Sequence, residues 1–173
     1  MIKSTCLLLI STLALFPTLV GAAEGNSVLS AFHALPVQFQ DGVVRVSADD
    51  ARPDPTIWYF TSRKNDRRGL LTNLNVSHGQ ILSERPSINP RSLLTGASAI
   101  SWRRIQCDST DAWRLAQEFA NRRSRTLASV SFVLEQRGRD AAPIWSVWCY
   151  DPSGRYIGFM SILATNGSIL STD

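Results

Sequence analysis

Histidine and cysteine are scarce in this chain, two and three among 173 residues, and none stands at the spacing of a reactive or metal-binding site. There is no H-x-x-x-H, C-x-x-C or E-x-x-H pair to bring ligands together on one helical or hairpin turn, so no metal site is expected. His33 falls in a short helical stretch. His78 falls in a hairpin turn, where a turn-compatible residue needs no catalytic role. Asp49, Asp50 and Asp54 cluster, but Arg52-Pro53-Asp54-Pro55 around them reads as a solvated loop. No Gly-rich phosphate loop is present. The expectation is a chain with no catalytic residues and no cofactor.

Long apolar runs are equally scarce, with one from Leu7 to Val20, preceded by Lys3 and ending in Gly21-Ala22-Ala23. That is the pattern of a signal peptide, assigned to residues 1–23 with the bond cleaved left open between Ala22-Ala23 and Ala23-Glu24. Ser11, Thr12 and Pro17 interrupt the run and leave it short of the roughly 20 apolar residues of a spanning helix. Cys6 precedes the run, which argues against a lipoprotein. No later run is long enough to cross a bilayer, so the expected location is the periplasm or cell envelope, or outside the cell. Lysine is nearly absent from the exported part, leaving Lys64 alone. The formal net charge is +4, which reads as solubilising charge. Arg63, Lys64, Arg67 and Arg68 fit a hairpin tip, and Arg122, Arg123 and Arg125 fit a helix end, so no nucleic-acid partner is expected.

Export leaves two cysteines, Cys107 and Cys149, too few for a tetrahedral zinc site. In an oxidising compartment they are expected to form a disulfide, closing a loop of roughly 40 residues and stabilising the fold by ~3–4 kcal/mol.

What the chain does have is a repeat. IWYFTSRKNDRRGLLTNLNVSHGQILS, from Ile57, returns as IWSVWCYDPSGRYIGFMSILATNGSILS, from Ile144, pairing Trp58 with Trp145 and Gly79 with Gly167. Each copy reads as strand, polar turn, strand, then a Gly turn into a short Ile-Leu strand. Before the second copy, Asp108-Ser109 supplies an N-cap and Ala112, Leu115, Ala116, Phe119 and Ala120 recur at helical spacing. Leu127 to Gln136 then alternates as a strand. Before the first copy, Ser27 caps a helix through Val28, Leu29, Ala31, Phe32 and Leu35 that Pro36 stops. Asp41-Gly42 fits either a small hairpin between Val37–Phe39 and Val43–Val46 or a direct helix-to-strand connection. The expected organisation is a first repeat over 24–83, a linker over 84–99 and a second repeat over 100–173.

The second copy resembles a PepSY-like domain, through Asp108, Ser109, Ala112 and Ala116 in the helix, Trp145 and Val147 in a W-x-V strand, and Thr165, Gly167 and Ile169 in the final turn. The first copy matches only in its hairpin and Gly79-Gln80-Ile81 turn. The resemblance implies an α+β fold of two tandem helix-plus-antiparallel-sheet units. It also implies a binding or inhibitory role toward a peptidase or other envelope protein, and carries no catalytic residues.

Within that plan Leu74 and Val76 align with Ile162 and Ala164 on a core face, and Trp58 and Trp145 become equivalent core anchors. If Trp145 and Val147 face the core, then Trp148, Tyr150 and Phe159 share the opposite side, an aromatic group suited to an unidentified envelope or secreted protein. Competing readings are a small envelope hydrolase and a structural envelope subunit. The oligomeric state is open.

Overall fold

Residues 26–63, 71–87 and 96–173 are described by a computed structural model of the chain. The segment read as a signal peptide, Lys64 to Arg68 of the charged hairpin tip and residues 88–95 of the stretch read as a linker lie outside the described residues.

The local signals act where they stand in the sequence. Ser27 accepts the Ser30 N–H at 3.2 Å and opens helix α1, Val28–His33. Pro36 has no N–H to continue a helix but suits the start of one, so a second short helix, α2, follows at Val37–Gln40. Asp41-Gly42 therefore connects helix to strand, and the alternative small hairpin is not formed. Asp108 and Asp111 complete a capping box at the start of α3, Ser109–Arg122. Its buried residues include Ala112, Ala116, Phe119 and Ala120, the stripe read from the sequence.

Nine strands follow the alternating segments: β1 Val43–Ala51, β2 Trp58–Arg63, β3 Leu71–Ser77, β4 Gln80–Pro86, β5 Ala97–Ser98, β6 Ser129–Arg137, β7 Ile144–Tyr150, β8 Tyr156–Leu163 and β9 Ile169–Thr172. They pair antiparallel in one sheet of order β4-β3-β2-β1-β6-β7-β8-β9, with β5 added against β6.

This corrects the expected fold class. The chain is a continuous nine-stranded antiparallel sheet with three helices among the described residues, not two tandem helix-plus-sheet units. The join is β1 against β6, pairing Val46 with Leu134 and Ala48 with Phe132. The physical reason is coverage: α1 and α2 span six and four residues, too little helix to bury the sheet of the first copy. Pairing the first strand of each copy removes two free edges and merges the apolar faces.

The merged face carries one core cluster. At its centre Phe132 lies 6.0 Å from the Trp58 ring and 5.6 Å from the Trp145 ring, centroid to centroid, and the two indoles are 6.3 Å apart. Both tryptophans are fully buried. Their indole N–H groups make equivalent bonds, Trp58 to the Asn26 carbonyl at 2.7 Å and Trp145 to the Cys107 carbonyl at 3.0 Å. Asn26 and Cys107 each precede a helix N-cap, Ser27 and Asp108, so the repeat persists as a pseudo-symmetry of one sheet.

The copies differ at their second turn. Ser77 pairs with Gln80 around His78 and Gly79, whose φ angles of 45° and 74° are those of a tight two-residue hairpin turn. In the second copy the Leu163 N–H reaches Ser168 O at 2.8 Å, enclosing a longer loop from Ala164 to Gly167.

The expected Cys107 to Cys149 disulfide is also corrected, because both thiols are free and buried. Cys107 sits at the entrance to α3 beside Trp145, whereas Cys149 lies four residues farther along β7. Cys149 pairs across to β8 with Gly158, which lies against Phe119, ten residues into α3. At ~1.5 Å per helical residue the two cysteines are therefore about 15 Å apart along that helix, and a disulfide needs Cα atoms within about 7 Å.

Candidate functional site

One side of the sheet takes the helices, and no described element packs over the other. Alternation along β7 sends Trp145, Val147 and Cys149 into the core and leaves Ile144, Ser146, Trp148 and Tyr150 half-buried on the opposite side. On β8 the core positions are Gly158, Met160 and Ile162, so Phe159 and Ser161 join that outer side.

The register brings the three aromatic residues of the sequence reading onto one face, in two pairs rather than one cluster. Trp148 is the cross-strand neighbour of Phe159, and their rings are 5.2 Å apart at an angle of 52°. Tyr150 instead meets Tyr156, ring centroids 6.1 Å apart. Tyr156 was missed by sequence reasoning. A register shift between Cys149 and Tyr150 sets it opposite Tyr150, where strict alternation would have placed Ile157. Tyr156 is 51 % exposed, and its hydroxyl donates to the Asp173 carboxylate at 2.6 Å. Asp173 also accepts from the Phe159 backbone N–H.

These bonds perturb both groups. Asp173 is held below the usual carboxylate range, first by the Tyr156 hydroxyl and then by the Phe159 amide. The Tyr156 phenol is pushed up to about 12 by desolvation and by the Asp173 hydrogen bond. Neutral pH thus keeps Tyr156 protonated and Asp173 ionised, tying β9 to β8.

The other residues singled out from the sequence have structural settings. Burial pushes the Cys107 thiol up to about 11 and the Cys149 thiol to about 12, far from the thiolate needed for nucleophilic work. His78 lies in its turn, with its backbone N–H donating to Asn26 Oδ1 at 3.1 Å. His33 is exposed on α1, beside a groove that Ser30, Gly79 and Asp108 also line. Asp49 and Asp50 fall at the exposed end of β1 and not in a loop, and Asp50 pairs at 2.8 Å with Arg52 just beyond the strand. Arg123 lies 4.2 Å over the Phe119 ring and donates to the Ile157 carbonyl at 3.0 Å. No group of three or more His, Cys, Asp or Glu among the described residues could hold a metal ion, and no described helix is long and apolar enough to cross a membrane.

No protein-family model, curated protein or solved structure matches the chain. The PepSY-like resemblance rests on the motif residues named for it.

Proposed function

We propose that this chain is an exported, non-catalytic binding or inhibitory module whose partner is another protein of the cell envelope or the secreted fraction. The observation that carries the reading is the aromatic set Trp148, Phe159, Tyr150 and Tyr156 on the helix-free side of β7 and β8. Large aromatic side chains at the centre of an interface dominate its energy, because they bury much area at little cost in conformational entropy. The other side of the same strands is already filled by the core. The inhibitory part of the reading comes from the PepSY-like motif, and the export from the Leu7 to Val20 run.

The experiment is capture from an envelope extract by the tagged protein and by its Trp148→Ser variant. The variant is expected to keep its circular dichroism spectrum and to lose partner binding by roughly thirtyfold, the equivalent of ~2 kcal/mol at an interface centre. Capture unchanged by the substitution would exclude this face as the docking surface. A parallel peptidase inhibition assay separates inhibition from simple binding.

A further inference from the structure

On the same helix-free side, the strands of the first copy carry a different chemistry. Ser83, Asn75 and Tyr59 are successive cross-strand neighbours, and so are Arg85, Asn73 and Thr61. With ~4.8 Å between strands and ~6.8 Å between same-face residues, these six positions cover roughly 10 by 7 Å. Asn73, Asn75, Ser83 and Arg85 line a recess of about 410 Å³, and Tyr59 stands beside it, 41 % exposed.

The hydrogen-bonding capacity of the recess is largely unspent. The Thr61 hydroxyl donates to Asn73 Oδ1 at 3.1 Å, which leaves the Asn73 amide N–H groups free to donate outward. Among the described residues, the Asn75 and Arg85 side chains have no hydrogen bond or ion pair. The local charge is positive. Arg85, Arg63 and Arg45 lie on this side, against Glu135, which is paired with Arg45, and Asp49 at the far end of β1. Glu84 stands opposite Leu74 and so belongs to the helix side. An unneutralised guanidinium fork is the natural partner of a carboxylate. Two amides and two hydroxyls around it match a polyhydroxylated ligand, and an exposed aromatic ring accepts the C–H face of a sugar.

We propose that this recess binds a uronic-acid oligosaccharide, with a carboxylate on Arg85, ring hydroxyls on Asn73, Asn75 and Ser83, and a pyranose face against Tyr59. The ligand class follows from charge complementarity combined with the amide and hydroxyl rows. The inference is independent of the aromatic face on β7 and β8, so either can fail without the other.

The test is titration calorimetry of the exported chain with trigalacturonate, with neutral cellotriose and inorganic phosphate as competing probes. Trigalacturonate is expected to bind, and cellotriose and phosphate to bind at least about tenfold more weakly. Arg85→Gln and Asn75→Leu should each weaken binding about tenfold or more, the fold-change of losing a charge-assisted or buried hydrogen bond. Arg139→Gln removes the same charge from an exposed loop and should change nothing. Circular dichroism identifies any variant that fails to fold, and Tyr59→Ala then replaces it. No binding of trigalacturonate overturns the proposal. So does equal binding of cellotriose or phosphate, or equal weakening by Arg139→Gln.

Discussion

Trp58 and Trp145 do the same work at two places, each filling the core and donating its indole N–H to the carbonyl that precedes a helix N-cap. Truncating either removes a large buried ring and leaves a cavity beside Phe132. Trp145→Ala is expected to cost ~3–5 kcal/mol, and Trp58→Ala a similar amount, measured by urea denaturation. A loss no larger than that of a surface substitution would contradict the shared core. The thiols make a second prediction at this scale. With burial raising Cys107 to about 11 and Cys149 to about 12, the folded protein should resist a thiol reagent at pH 8. Both should then react once the chain is unfolded without reductant; failure to release two thiols would restore the disulfide.

At the scale of elements, α3 meets the sheet through a glycine. A Cβ on Gly158 would lie 2.7 Å from Phe119 Cζ and 2.5 Å from an Arg123 guanidinium nitrogen, so the helix approaches β8 closely only because that position has no side chain. Gly158→Ala should destabilise by ~1–3 kcal/mol through overpacking, read as a lower melting temperature. At the edge next to β8, the Asp173 carboxylate fastens β9 through Tyr156 and Phe159. Its folded pKa is depressed. Its contribution is therefore present above the unfolded carboxylate value of about 3.9 and is lost as pH falls through the folded value. Amide exchange at Phe159 and Ser161 should accelerate as acid protonates Asp173, and Asp173→Asn should show that faster exchange already at pH 7.

For the whole molecule, the seam between β1 and β6 decides behaviour. Phe132 on β6 lies against both Trp58 and Trp145, so the two halves of the sheet share one core cluster. Unfolding is expected to be a single cooperative transition, with tryptophan fluorescence and far-ultraviolet circular dichroism superimposing. Phe132→Ala should lower that transition by ~3–5 kcal/mol while keeping it single. Two resolved transitions would mean that the halves fold separately.

Much of this was legible from local chemistry. The Asp108 cap and the Ala112 to Ala120 stripe specify α3 because capping and a 3.6-residue period act within one helix. The run from Ile144 to Tyr150 and the turn Asp151-Pro152-Ser153-Gly154 specify a hairpin because alternation and turn chemistry act between neighbours. The same alternation put Trp148, Tyr150 and Phe159 on one side of it. The sequence carries no comparable record of which strand edges meet. β1 and β6 each offer a row of backbone donors and acceptors that any antiparallel partner could satisfy. Only the shortage of helix over the first copy, together with the shared aromatic core, selects their pairing. Likewise the register shift that brings Tyr156 to Tyr150, and the rows that set Arg85 beside Asn73 and Thr61, belong to cross-strand pairing. Those contacts depend on exact register, which alternation and turn composition do not specify, so the assembled sheet determined them.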